Sequence, residues 1–341
     1  MTMLIGHDVP IATFLAAANG DRLHHAWLFA GPEGIGKRAV AFECATFLLA
    51  QALDPNLPGL DLTVAENSPV ARFMAAGSHP DFRFLRRLPK DEKLREKPPA
   101  DWPDAVELSR NIRVDQIRRL TNSFATKPSL STRRVVIIDC VDELERSASN
   151  ALLKTLEEPP FGTIFLLISH SPGRLLPTIR SRCRPLRFSA LADNAMVSIL
   201  RGRFADLAHE EVTAIIAAAQ GSPSRAINLA TLDVATLSKA LEDLFYTGDP
   251  YNHVRATLAK SLAAKSAHAR FEAFIALVPA FIAAKAKTLN GTDLAKAIDH
   301  WSAARHLIQS ASHASLETQA VVFALAGHVA ALAPRTGAVK A

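Results

Sequence analysis

Hydrophobic residues in the first 190 positions of the chain cluster in short continuous runs rather than in alternating patterns. Three such runs are HAWLFA at 25–30, RRVVIIDC at 133–140 and TIFLLIS at 163–169. Continuous runs of this length, rich in Val and Ile, are typical of strands buried on both faces of a parallel sheet. Segments with helical spacing lie between them, beginning with RAVAFECATFLLAQAL at 38–53. Strands that alternate with helices predict an α/β layer architecture.

Further elements complete this first region. We predict a strand at 82–85, a helix at 114–126, a helix that begins at 148 and is stopped by Pro159, and a short helix followed by an edge strand within 177–188. After residue 190 strand patterns cease and helical spacing continues, with many alanines. The chain is therefore expected to pass from an α/β region into a helical region.

The same change divides the chain into three predicted domains. Residues 1–190 form the α/β domain, 191–235 a small helical module and 236–341 a helical C-terminal domain. Four apolar residues recur at helical spacing on the last helix, which predicts that they belong to the intramolecular core. They are Val322, Leu325, Val329 and Leu332.

The stretch GPEGIGKR at 31–38 is a phosphate-binding loop in all but its last residue. It follows a predicted strand, precedes a predicted helix and carries Gly31, Gly34, Gly36 and Lys37. Glycine N–H groups and the helix N-terminus can surround a phosphate, while the lysine neutralises its outer oxygens. Arg38 stands where the pattern requires the Ser or Thr hydroxyl that binds Mg²⁺.

A second part of a nucleotide site follows the run VVII. Asp139 ends that predicted strand, where an acid positions Mg²⁺ through water. The next residue is Cys140, at a place where related ATPases carry a glutamate that polarises the attacking water. A neutral thiol cannot accept that proton. We therefore expect that ATP or ADP can be held but not hydrolysed efficiently, unless the following loop bends back and brings Asp142 or Glu143 into the position of the base.

Four segments resemble the bacterial DNA polymerase III clamp loader family. SNALLKTLEEPP at 149–160 and FLLISHSPGRLLPTIRSRCRPLRF at 165–188 are similar to the region after its second nucleotide motif, and LHHAWLFAGPEGIGK and GSHPDFRFL match its N-terminal end. The resemblance covers roughly residues 5 to 235. It implies an AAA+ module with a RecA-like parallel sheet, a small helical lid and an all-α C-terminal collar that joins five subunits. The implied partners are tau/gamma and delta subunits, the sliding clamp and primed DNA.

Within that family, the ATPase subunits (tau/gamma) differ from a class that lacks effective ATPase activity. ATPase members carry an arginine that senses the γ-phosphate where this chain has Ser224, and Arg225 would project about 100° away round the helix. With Arg38 and Cys140, this departure favours the class without hydrolysis. An ATP-hydrolysing tau/gamma-type subunit and a phosphate-loop protein outside replication stay open as alternatives.

The family's Ser-Arg-Cys motif occurs at Ser181, Arg182 and Cys183. The resemblance implies that Arg182 points into the ATP site of a neighbouring subunit, where its guanidinium acts on the γ-phosphate. The alternative for Arg182 is a surface salt bridge. Cys183 is expected to be a small buried residue rather than a nucleophile, because no histidine adjoins it in a catalytic arrangement.

Metal binding is not expected. Family members usually hold a zinc ion with four cysteines before the GSHPD motif, whereas residues 51–76 contain no cysteine. His79 alone is more typical of a structural histidine. The chain's three cysteines are scattered, which is typical of a reducing compartment.

Charge and the N-terminal sequence complete the picture. A formal net charge of +6 permits a nucleic-acid partner without requiring one. The N-terminal sequence lacks the pattern of a signal peptide, and the apolar run at 273–284 is too short to span a bilayer. We therefore expect a cytoplasmic protein with no membrane partner.

Overall fold

The computed structural model of the chain divides into two units, Met1–Ala190 and Leu191–Ala341. It describes residues 5–20, 23–57, 59–95, 97, 101–103, 106–232, 234–264, 267–314 and 317–334. The segment at 86–105, which the sequence predicts to be an exposed and partly irregular insertion, thus lies partly outside the described residues. Each unit is described by itself.

The first unit is built on a five-stranded parallel sheet with the strand order β2-β3-β4-β1-β5. Every residue of the three central strands is buried, as the continuous apolar runs predicted. The short fifth strand lies at one edge, also as predicted. The strands are β1 (Ala26–Ala30), β2 (Phe82–Arg86), β3 (Arg134–Asp139), β4 (Thr163–Ser169) and β5 (Arg184–Arg187).

Helices cover both faces of this sheet. On one face α1 and α2 pack an aromatic core that includes Phe14, Phe29 and Phe47. On the other face α5, α6 and α7 contribute Ile117, Leu152 and Ile179 respectively. The helices are α1 (Asp8–Ala18), α2 (Lys37–Leu53), α3 (Pro69–Ala75), α4 (Glu92–Arg95), α5 (Val114–Asn122), α6 (Arg146–Glu157) and α7 (Pro177–Ser181). This layering confirms the predicted α/β fold class and is the arrangement expected of an AAA+ module.

The second unit is helical throughout its described residues. Its helices are α8 (Asp193–Arg203), α9 (His209–Ala219), α10 (Pro223–Ala230), α11 (Val234–Thr247), α12 (His253–Leu262), α13 (His268–Ala286), α14 (Gly291–Ala314) and α15 (Thr318–Ala330). The predicted stripe on the last helix is buried, with Val322, Leu325 and Val329 fully inaccessible to solvent. Among the described residues, no helix combines the length and hydrophobicity needed to cross a bilayer.

One continuous core runs through this unit. It joins Met196 and Val212, from the predicted small helical module, to Leu241 and Phe274 of the predicted C-terminal domain. Along the chain, the two units meet at residue 190. The division into three domains, at 190 and at 235, stays a prediction.

Candidate nucleotide site and interface arginine

The phosphate loop lies between β1 and α2, in the strand-loop-helix context that the sequence predicts. Gly34 and Gly36 adopt φ angles of 76° and 103°, which side chains disfavour. Gly31 is constrained differently, because a Cβ there would lie 2.2 Å from the backbone oxygen of Phe188 at the end of β5. The glycines therefore allow both the turn of the loop and its close packing against the sheet edge.

The backbone of the loop has the properties of an anion cradle. The N–H groups of Gly34, Ile35 and Gly36 have no acceptor in the part of the chain that the structure describes. The N-terminus of α2, which begins at Lys37, adds a partial positive charge at the same place. His7 hydrogen-bonds through Nε2 to the Ile35 carbonyl at 2.7 Å and so fixes the loop from outside. These features fit a bound phosphate group.

Lys37 is folded into the loop. Its side chain is buried, and Nζ donates to the carbonyl oxygen of Gly31 at 2.6 Å and to that of Pro32. Burial lowers the pKa of Lys37, while nearby acidic groups such as Asp139 oppose that shift. An anionic ligand would add favourable charge beside this ammonium.

Arg38 and Asp139 stand at the two positions that hold Mg²⁺ in an intact phosphate-loop site, and here they pair with each other. Arg38 Nε lies 2.5 Å from Asp139 Oδ2, and the Asp139 side chain is only 5% exposed. Mg²⁺ prefers oxygen ligands, yet the loop hydroxyl is replaced by a guanidinium and the carboxylate already holds that guanidinium. The residues present therefore do not fit Mg²⁺. The described residues also contain no group of three or more His, Cys, Asp or Glu side chains able to hold a metal ion.

The residues after Asp139 do not supply a catalytic base. Cys140 is buried, and burial, followed by its hydrogen bond to Asp142, raises the pKa of its thiol well above the ordinary range. The loop does bend back toward β4, but the Asp142 carboxylate accepts hydrogen bonds there from Ser169 Oγ at 2.8 Å and His170 N at 2.5 Å. Glu143 pairs with Arg87 at 2.9 Å. Both acids thus stabilise local structure.

Two residues near this site were not predicted from the sequence. Arg86 ends β2 and lies directly opposite Asp139 in the register of β2 and β3. His170 follows β4; burial and then the charge of Lys37 lower its pKa, and its buried Nδ1 has no partner among the described residues. The sequence signal that could have identified both is that each is a polar residue at, or just after, the carboxyl end of a predicted strand.

Arg182 follows α7 and is one-third exposed. Its Nη2 lies 2.7 Å from Glu157 Oε1, and its Nη1 donates to the carbonyl oxygen of Thr178 at 3.0 Å. The salt bridge considered as the alternative for Arg182 is therefore present in this structure. Exposed pairs of this kind contribute about 0.2–1 kcal/mol, so a stronger anion can displace Glu157.

Cys183 is buried, as expected. Burial raises the pKa of its thiol to about 12, so the thiol is protonated at neutral pH. The other predicted marker, Ser224, lies exposed in α10 of the second unit beside Arg225. Its relation to a γ-phosphate stays a prediction.

Comparison with known proteins agrees with the motifs. The family model described as "DNA polymerase III, delta subunit" matches residues 6–192. DNA polymerase III subunit delta' of Pseudomonas aeruginosa is 37% identical over 205 residues, which cover 60% of this chain and 55% of the relative. Subunit delta' of Escherichia coli is 30% identical over 243 residues, covering 70% and 65%. Subunit tau of Escherichia coli is 32% identical over 232 residues, covering 65% and 31%. The chain thus matches little more than half to two thirds of the delta' relatives' length.

Proposed function

The chain belongs to the DNA polymerase III delta-subunit family, and from this premise we propose that it acts as a delta-prime-type subunit of a bacterial clamp loader. In this role it assembles with tau/gamma and delta subunits and helps to place the sliding clamp on primed DNA. The two delta' relatives support the subunit type. The net charge of +6 suits a complex that surrounds the phosphates of DNA.

One contrast within the first unit carries this proposal. The chain's own nucleotide site has lost its hydrolytic parts, since Arg38 pairs with Asp139 and Cys140 stands in place of the base. The Ser-Arg-Cys arginine, by comparison, is intact and solvent-accessible at Arg182. A subunit that cannot turn over its own nucleotide but presents an arginine is suited to act on ATP held by a neighbour.

Arg182 is proposed to act in trans on the neighbour's γ-phosphate. Its planar guanidinium can donate two parallel hydrogen bonds to phosphate oxygens, and its positive charge opposes the negative charge that develops there during transfer. To reach a neighbouring subunit, the Arg182 guanidinium breaks its ion pair with Glu157 and binds the phosphate instead. The carboxylate carries one negative charge and the γ-phosphate more, so this exchange is electrostatically favourable.

The chain's own site is proposed to hold ATP or ADP without efficient turnover. Gly31, Gly34 and Gly36 shape the loop, and Lys37 would neutralise the phosphate oxygens. When bound, the nucleotide supplies phosphate groups that fill the cradle of backbone N–H groups. The residues around it can bind and orient those groups, but none is placed to activate water.

Assembly tests the subunit assignment. We expect the full chain, co-expressed with tau/gamma and delta subunits, to elute with them as one complex in size-exclusion chromatography. Addition of the sliding clamp should shift that complex further only when a nucleotide is present. A chain that elutes alone under these conditions would contradict the proposal and would favour a phosphate-loop protein outside replication.

One alternative has an observation in its favour. The intact Gly31, Gly36 and Lys37, together with 32% identity to a tau subunit, are also compatible with an ATP-hydrolysing subunit. Turnover by the isolated chain separates the two. An authentic ATPase would show activity that Lys37→Ala abolishes, whereas the proposed subunit shows the same background rate with either residue.

A further inference from the structure

We propose that this chain binds its nucleotide without a divalent cation, with the guanidinium of Arg38 in the place of Mg²⁺. The inference rests on the proposed retention of nucleotide in the degenerate site and not on assembly with other subunits. In phosphate-loop NTPases, Mg²⁺ is held between the loop hydroxyl, the strand-terminal acid and the phosphates. In this chain the loop hydroxyl is replaced by Arg38, and the strand-terminal acid, Asp139, is already paired with that arginine.

The strand-terminal acid is engaged by the cation that replaces the hydroxyl. Arg38 Nε and Asp139 Oδ2 are 2.5 Å apart, a charge-assisted hydrogen bond to a carboxylate that is 95% buried. A metal ion between them would lack the hydroxyl ligand, and the guanidinium would repel it. Because Mg²⁺ requires near-ideal oxygen coordination, this site disfavours it.

Arg38 can contribute to phosphate binding while it holds Asp139. Its side chain is 57% exposed, and its Nη1 and Nη2 atoms have no partner in the described part of the chain. One guanidinium can therefore donate to the acid and to a phosphate at once, since its five N–H groups point in different directions. The ion that normally bridges acid and phosphate is replaced by a side chain.

A second arginine adds positive charge to the same site. Arg86 lies opposite Asp139 in the sheet register, and its buried Nε has no hydrogen-bond partner among the described residues. Burial lowers the pKa of Arg86, and the charge of Arg38 lowers it further. The Arg86 guanidinium stacks over the Trp102 ring at 4.3 Å. It interacts electrostatically with both Arg38 and Asp139, while Asp142 and Glu143 are engaged elsewhere. A phosphate would relieve the mutual repulsion of the two arginines without needing a metal ion.

The direct test compares two buffers with the full-length chain. Isothermal titration with ADP and with ATP is carried out in excess Mg²⁺ and in EDTA. We expect dissociation constants that agree within about threefold for each nucleotide, a small difference on the free-energy scale of binding. Binding at least about tenfold tighter with Mg²⁺, or no binding in either buffer, would overturn the inference.

A variant that restores the missing hydroxyl sharpens the test. Arg38→Thr is expected to bind ADP at least about tenfold more weakly in EDTA, because it loses a charged hydrogen-bond donor, and to regain affinity when Mg²⁺ is added. Arg146→Thr removes an exposed arginine from the start of α6 and serves as the matched control, with unchanged titrations. Thermal unfolding verifies that both variants fold.

Each outcome of the variant test is informative. Unchanged affinity of Arg38→Thr in EDTA would contradict the role of Arg38. The buffer comparison on the unaltered chain needs no variant and decides the question if Arg38→Thr does not fold. Co-elution with the other subunits is measured separately, so a metal-dependent chain that still assembles would refute only this inference.

Discussion

Replacing Asp142 by alanine is expected to destabilise the first unit at the carboxyl ends of β3 and β4, where the nucleotide site lies. The Asp142 carboxylate connects the segment after β3 to the end of β4 by accepting hydrogen bonds from the Ser169 hydroxyl and the His170 N–H at 2.8 and 2.5 Å. It also accepts a hydrogen bond from the Cys140 thiol at 2.6 Å. Alanine removes the acceptor and leaves these donors in a largely buried place.

The size of the effect follows from the number of donors. Each buried donor left without an acceptor costs about 1–3 kcal/mol, so the Ser169 and His170 donors together predict a loss of about 2–6 kcal/mol. The thiol is a weak donor and adds little. In a unit of this size each kcal/mol lowers the melting temperature by about 2–4 °C, so a fall of roughly 4–24 °C is expected.

Thermal unfolding followed by circular dichroism measures this change. Asp115→Ala is the control, because it removes an exposed carboxylate from α5. Among the described residues, the one ion pair of Asp115 is with Arg118, at 3.7 Å. The free energy of unfolding of this variant should stay within about 0.5 kcal/mol of that of the unaltered chain. If Asp142→Ala melted within about 2 °C of that control, the carboxylate would not be the structural acceptor inferred here.

The pH dependence gives an independent check on Asp142. Burial acts to raise its pKa, but the hydrogen bonds from Cys140, His170 and Ser169 outweigh burial and hold the pKa below its usual value of 3.8. A carboxylate whose pKa is lower in the folded state stabilises the fold above its unfolded pKa and loses that contribution as the pH falls through the folded value. The difference in melting temperature between the unaltered chain and Asp142→Ala should thus be constant above about pH 5 and shrink below pH 3.8.

Two further predictions concern buried positions in the first unit. Gly31→Ala would place a Cβ 2.2 Å from the Phe188 carbonyl oxygen, and is expected to destabilise the chain by about 1–3 kcal/mol in urea unfolding. Gly173→Ala, with no atom within 4 Å of the new Cβ, is the matched control, and equal midpoints for the two variants would contradict the close approach. Burial raises the pKa of Cys183 to about 12, so this thiol should resist iodoacetamide at pH 8 in the native chain and react only after unfolding in guanidinium. Rapid native alkylation located at Cys183 by mass spectrometry would refute its burial.

The sheet could be predicted because each central strand carries its signal locally. TIFLLIS at 163–169 coincides with β4, and VVII lies wholly within β3, since burial on both faces leaves no polar position between the ends of either strand. The helix predicted at 114–126 instead ends at Asn122 and continues as a 3₁₀ turn over Ser123–Ala125. Helix ends depend on caps and tertiary contacts that periodicity does not encode.

The site could be predicted residue by residue but not as a set of contacts. Arg38 and Asp139 were both identified from their positions in motifs, yet 101 residues separate them and only the fold shows that they pair. The sequence therefore shows that an arginine replaces the loop hydroxyl, whereas only the structure shows that this arginine holds the strand-terminal acid. The same holds for Arg182 and Glu157, which are both in recognised motifs and meet only through the packing of α6 and α7.

The role of Asp142 required knowledge of the strand order. β3 and β4 are neighbours in the sheet, so the loop after one can reach the end of the other. Strand order depends on crossover connections and is not visible in local hydrophobic patterns. The sequence could therefore only suggest Asp142 as a catalytic base if the loop bends back. The fold shows that Asp142 accepts hydrogen bonds from Ser169 and His170 instead.

The most direct test of the account is ATP turnover by a reconstituted loader that contains Arg182→Ala. Arg180→Ala, which removes an exposed arginine from α7, the helix that Arg182 follows, is the matched control. Both complexes should assemble, and the clamp- and DNA-stimulated rate should fall at least about tenfold with Arg182→Ala alone, because arginines supplied in trans accelerate other nucleotidases by about 10³–10⁵. Equal turnover by the two assembled complexes would contradict the central claim that this subunit acts on its neighbour's nucleotide.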